Sequence, residues 1–175
     1  MVPTQNLVDS YEMSNGLTKE EAGSGYDETH PFANRDPRMA MTILYPGMDW
    51  VGLTGKTILN TLDATIDGVK NPNYPNDADN ASKTALTWAK YLNPYTQYGD
   101  IWSTKAQPIV FRYAEVLLSY AEAENEMNGP SAEVYNLLNR IRNRVGMPDV
   151  DQSKYNNQAK LRELIRRCLL YTSPS

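Results

Sequence analysis

The chain has 175 residues, 41% of them hydrophobic, with 17 Lys and Arg against 21 Asp and Glu. This is enough for one ordinary globular domain and excludes a disordered chain, and the net charge of −4 argues against general nucleic-acid binding. One cysteine, Cys168, leaves no internal disulfide and no cysteine-based metal site, and no apolar run is long enough to form a membrane-spanning helix.

The first hundred residues are rich in turn formers. Asn15-Gly16, Gly23-Ser24-Gly25, His30-Pro31, Asp36-Pro37, Pro46-Gly47, Asn71-Pro72 and Asn93-Pro94 punctuate them at short intervals. A short helix is expected at about Leu7 to Met13, and short strands at Met39 to Leu44 and Lys56 to Leu59. A stretch this irregular needs other structure to lie on.

From Pro108 the pattern changes. Apolar residues Ile109, Tyr113, Val116, Leu117, Tyr120, Ala123 and Met127 fall in steps of one, three and four, and Ala114, Leu118 and Ala121 add a second line. Arg112, Glu115, Ser119, Glu122 and Glu126 form one narrow polar stripe. Such a helix is expected to be buried between neighbours, and Asn128-Gly129-Pro130 should end it. A second helix is predicted from Ser131 to Val145 on Val134, Leu137, Leu138, Ile141 and Val145, stopped by Gly146 and Pro148. A third begins near Asn157 and carries Leu161, Leu164 and Ile165. The set suggests an antiparallel helical array built from TPR-like pairs. The expected division is a loop-rich segment over 1–106, a helical segment over 107–167 and a tail over 168–175.

Several motifs carry candidate chemistry. Gly52-Leu53-Thr54-Gly55-Lys56-Thr57 resembles the end of a phosphate-binding loop, but Trp50 stands where the motif needs Gly. Asp77-Ala78-Asp79-Asn80 lacks the remainder of a calcium loop. His30, the only histidine, reads as a loop residue. Glu115, Glu122, Glu124 and Glu126 could pair as glycosidase carboxylates, but a structural stripe, with Arg112 pairing Glu115 at i,i+3, accounts for them better. Arg140, Arg142 and Arg144 read as a solvated helix end matched to the dipole. The chain holds 12 Tyr and 3 Trp against 2 Phe. Among them Trp50, Trp88, Tyr91, Tyr95, Tyr98 and Trp102 form the leading ligand-binding set, since flat rings on loops stack on sugar faces while their polar edges stay wet. Packing of loops onto helices is the competing explanation.

The run Phe111–Glu126 (FRYAEVLLSYAEAENE) resembles the signature helix of the SusD/RagB family. Leu138–Met147 (LNRIRNRVGM), Leu7–Met13 followed by Asn15-Gly16, and Asn34–Arg38 (NRDPR) fit the same family in the same order. The resemblance implies a mainly α fold, a SusD-like TPR-type helical scaffold with long irregular loops, here incomplete. It implies a lipid-anchored protein on the extracellular face of the outer membrane of Bacteroidota. Such a protein holds a glycan for a TonB-dependent SusC-like importer, without catalysis and without a cofactor. Arg35, Asp36 and Arg38 match a family signature, with a structural role expected: a buried network pinning the loops to the helices. Arg112, Glu115 and Glu122 fall on the signature helix. Family members are longer and begin with a lipoprotein signal, which residues 1–4 do not supply, so Met1 reads as an internal start. After Leu161–Arg167 the family continues with an acidic helix, whereas Cys168–Ser175 (CLLYTSPS) reads as a non-native tail. The alternatives are a helical-repeat module that binds a peptide and, less favoured, a glycan-degrading enzyme.

Overall fold

In a computed structural model of the chain, residues 2–52, 55–75, 81–90 and 109–172 are described. They contain five helices and six short strands in the order α1 (Gln5–Ser10), α2 (Pro37–Thr42), β1 (Ile43–Leu44), β2 (Asp49–Gly52), β3 (Gly55–Ile58), β4 (Thr65–Ile66), β5 (Val69–Lys70), β6 (Thr87–Trp88), α3 (Tyr113–Asn128), α4 (Ala132–Asn143) and α5 (Gln158–Thr172). The chain divides into two compact units, Met1–Val8 with Ala40–Pro108 and Asp9–Met39 with Ile109–Ser175. Residues 9–39, which the sequence places with the loops, thus belong to the unit that holds the long helices.

That helical unit is centred on α3. Leu117, Leu118, Ala121 and Asn125 are its buried residues, and both α4 and α5 pack on it. Ser131 caps α4 by accepting the Val134 amide at 3.3 Å. Gly129 and Gly146 end α3 and the turn after α4 with φ of 73° and 79°, a left-handed conformation that side chains resist. α5 runs antiparallel to α3: Arg166 pairs with Glu122 at 2.8 Å, Arg162 with Glu126, and Arg112 Nη1 donates to the Thr172 carbonyl at 2.9 Å. Asn125 and Gln158 exchange side-chain-to-carbonyl bonds at 3.0 and 2.8 Å between the same helices. The helix continues into the tail, where Cys168 and Thr172 are buried.

Expectations for α3 and α4 need two corrections. α3 is covered on one side only: Tyr113, Val116, Tyr120 and Met127 are exposed, because α4 and α5 both lie against the stripe of Leu117, Leu118 and Ala121. The arginine run is not wholly solvated either. Arg142 is buried, while Arg140 and Arg144 are exposed.

The remaining unit is built of two-stranded ribbons. β1 pairs antiparallel with β6 (Ile43 opposite Trp88), β2 with β3 (Trp50 opposite Thr57), and β4 with β5. Among the described residues, Ile43, Leu44 and Leu86 are its buried apolar residues outside the helices. Side chains close its loops. Asn71 Nδ2 donates to the carbonyls of Asn60 and Asp63 at 3.1 and 2.8 Å, and Thr61 Oγ1 to that of Ala85 at 3.0 Å. The strand expected at Met39 to Leu44 is instead the end of α2 followed by the two residues of β1. Asp36 accepts the Arg38 amide at 2.9 Å and Pro37 occupies the first helical position, so an N-cap and a proline start a helix there. The expected helix at Leu7–Met13 is α1, shifted to Gln5–Ser10. Among the described residues no helix is long and apolar enough to cross a membrane.

Candidate functional site

Of the six candidate aromatic residues, Trp50 and Trp88 lie among the described residues. Tyr91, Tyr95, Tyr98 and Trp102 lie outside them. Trp50 is on β2 of the β2–β3 hairpin and Trp88 on β6, opposite the buried Ile43. Both rings are half-buried. A ribbon fixes the backbone beneath each ring by ladder hydrogen bonds, and partial exposure leaves ring surface for stacking against an apolar face of a ligand. The segment after Gly52 that resembles a phosphate loop is strand β3 from Gly55 to Ile58, so no helix N-terminus faces a phosphate there. Asp77 to Asn80 lie outside the described residues. His30 is exposed and bonds Asp27 through Nδ1 at 2.8 Å. The Thr29 hydroxyl, His30 and the Thr29 amide hold the Asp27 carboxyl down at about 2. Among the described residues no group of three His, Cys, Asp or Glu is placed to hold a metal.

The signature residues of 34–38 make a local network. Asp36 and Arg38 form a buried ion pair, with Arg38 Nε donating to Asp36 Oδ1 at 2.9 Å. Arg35 donates to the Tyr11 carbonyl at 2.9 Å and the Pro31 carbonyl at 3.2 Å. Burial pulls its guanidinium below the ordinary arginine range. Met13 and Arg35 form a β-bridge beside them. These bonds tie 9–13 to 31–38.

The ties from this segment to the helices run through a residue that sequence reasoning missed. Glu12 is buried, and Arg142 Nη1 of α4 donates to it at 2.7 Å while Arg167 Nη2 of α5 donates at 3.1 Å. Arg142 Nε also reaches the Pro148 carbonyl at 2.7 Å, and Arg167 the Tyr155 hydroxyl at 2.8 Å. One carboxylate thus holds two helices and one loop. Its partners lie 130 and 155 positions away, and no local pattern signals that. At the edge, Lys154 pairs with Glu21 at 2.5 Å.

On the signature helix, Glu122 and Glu126 spend their charge on α5, as above. Arg112 does not pair with Glu115: it bonds the Thr172 carbonyl, and Glu115 Oε2 is buried without a hydrogen-bond partner. A carboxylate pair engaged with arginines across a helix interface is a scaffold element rather than an acid–base couple.

The sequence profile of the SusD family matches residues 1–167. Among solved structures, a SusD-like carbohydrate-binding protein from Bacteroides fragilis is similar at 29% identity with a TM-score of 0.75, over 98% of this chain and 33% of that one. A SusD-like protein from the same organism is similar at 25% identity with a TM-score of 0.74, again over 98% and 33%. The chain therefore spans a third of the length of these structures. No curated protein matches it.

Proposed function

The chain belongs to the SusD family, and from that premise we propose that the whole protein binds a glycan, without transforming it, for a TonB-dependent SusC-like importer. On this reading it sits at the extracellular face of the outer membrane, held by a lipid anchor outside these residues, on a TPR-type helical scaffold. The observation that carries the reading is the pair of half-buried tryptophans, Trp50 and Trp88, each on a short ribbon. Trp102, Tyr91, Tyr95 and Tyr98 complete the proposed ligand set. Their rings stack on sugar faces, and neighbouring amide and carboxylate side chains take the hydroxyls. No cofactor is needed, because holding and releasing an oligosaccharide makes and breaks no covalent bond. Arg35, Asp36 and Arg38 act as a brace for the loop segment.

The test uses the full-length protein. A glycan array identifies an oligosaccharide that binds, and calorimetry compares the wild type with Trp50→Ala, Trp88→Ala and Trp102→Ala. Loss of one stacking ring is expected to weaken binding about tenfold, near the upper end of aromatic contributions beyond buried area. Unchanged affinity in all three variants rules out the aromatic set. Conversion of the glycan on prolonged incubation would contradict the non-catalytic reading.

A further inference from the structure

Of the arginine run near the end of α4, Arg142 is spent on the buried Glu12. Arg140 and Arg144 are exposed and take no part in that network. With Arg112, at the start of α3, they line an open cavity of about 380 Å³ between the two helices. Tyr113 lines it too, and the buried Leu117 and Ile141 give it an apolar wall. The volume is at the lower end for a small-molecule site.

Three guanidinium groups meet there, and no carboxylate is among the described lining residues. The bonds they make do not neutralise them. Arg112 donates to the Thr172 carbonyl at 2.9 Å and Arg140 to the Tyr113 hydroxyl at 3.3 Å, both neutral acceptors. Helix dipoles do not change the balance. The N-terminal end of α3 and the C-terminal end of α4 both reach the cavity, at Tyr113 and Arg144, and their partial charges of about half a unit are opposite in sign. The field in the cavity is therefore set by the three arginines.

The number of donors narrows the ligand. A carboxylate has two oxygens, and one arginine fork occupies both. A sulfate or phosphate monoester presents three outer oxygens, which three planar, permanently charged guanidiniums can share. Beside them Tyr113 is 66% exposed, with Arg140 Cζ 5.9 Å from its ring centre, so an aromatic surface adjoins the cations. A ring that carries the ester has a face to stack on.

We propose that this cavity is a binding site for the sulfate or phosphate monoester of a sugar-sized ring compound. Arg112, Arg140 and Arg144 hold the oxyanion, and the ring lies on Tyr113. The site belongs to the helical unit and uses none of the proposed aromatic set. It holds its ligand through side chains, so helix amides are not its readout, and it stands whether or not the ribbons bind a glycan.

The experiment titrates the full-length protein by calorimetry with the sulfate and phosphate monoesters of glucose, with glucuronate and with glucose. At least one ester is expected to bind about tenfold more tightly than glucose or glucuronate, and the preferred ester identifies the oxyanion. Added salt should weaken that binding, because charges in an open cavity are screened. Arg140→Gln combined with Arg144→Gln is expected to remove the tenfold preference with the urea midpoint unchanged, since both side chains are exposed. Esters that bind no better than glucose overturn the proposal, as does glucuronate that matches them. Ester affinity that survives in the double variant overturns it as well. Ester affinity lost in Trp50→Ala or Trp88→Ala, with the double variant unaffected, assigns the ester to the ribbons and overturns it too.

Discussion

In the helical unit, Leu118, Leu138, Leu161, Leu164 and Ile165 are fully buried, and the buried Glu12 is met by two arginines from two helices. In the ribbon unit the buried apolar set of the described residues outside the helices is Ile43, Leu44 and Leu86, and loops are closed by hydrogen bonds from Asn71 to two backbone carbonyls and from Thr61 to one. The first kind of construction loses much when one member is removed, since buried groups lose their partners together. The second loses one or two hydrogen bonds at a time. Under the proposed function the helical unit is the scaffold and the ribbon unit the ligand-facing platform, whose surface side chains can change without unfolding the molecule.

The largest effect expected from breaking this contrast is at Glu12. Glu12→Ala leaves Arg142 and Arg167 facing each other's charge, and is expected to cost about 3–5 kcal/mol in urea unfolding. Leu118→Ala, in the middle of α3, should cost about 2–5 kcal/mol, set by how far α4 and α5 collapse onto the gap. Gly16→Ala comes next. Its φ is +83°, and a Cβ would stand 3.0 Å from both Arg142 Nη2 and Pro148 Cγ. The variant is expected to lose more than about 1 kcal/mol because both the backbone and the arginine resist. Thr61→Val keeps shape but removes the bond to Ala85, and about 1 kcal/mol should go, detected as faster hydrogen exchange around Ala85 with the α3 amides unchanged.

The smallest effect is a pH dependence at the edge of the helical unit. Burial pushes the Glu21 carboxyl upward, but hydrogen bonds from Lys154 and Thr18 outweigh it, so its pKa lies below 4.5. A depressed carboxyl pKa stabilises the fold above the unfolded value, and that contribution is lost as the pH falls through the folded value. For Lys154, burial opposes the charged form, yet Glu21 and Tyr155 raise its pKa above 10.5, so its share persists below that pH and fades above it. The difference in urea midpoint between wild type and Glu21→Gln should hold steady near neutral pH and shrink below pH 4.5.

The three long helices were legible because their signals are local. Apolar spacing located α3, α4 and α5, and Gly129, Ser131 and Gly146 marked ends with their own backbone or hydroxyl chemistry. The short helix α2 is not what the sequence reading expects: Asp36-Pro37 reads as a turn and the apolar run after it as a strand, whereas Asp36 caps the helix and Pro37 is its first residue. Glu12 carries no local signal, because its meaning lies in arginines far along the chain. The outward stripe of α3 was read as buried for a related reason: an apolar pattern states that a surface wants cover, and says nothing of whether the covering segment is within the same 175 residues. For the candidate site, residue type singled out Trp50 and Trp88, but their placement on separate ribbons depends on pairings between distant strands.

Hydrogen exchange of the full-length protein, with and without a saturating oligosaccharide chosen on a glycan array, tests the division of labour most directly. The account predicts new protection in 43–58 and 81–90, with the amides of α3, α4 and α5 unchanged. Protection confined to the three helices, with the ribbons unaffected, would contradict it and move the binding surface onto what is here the scaffold.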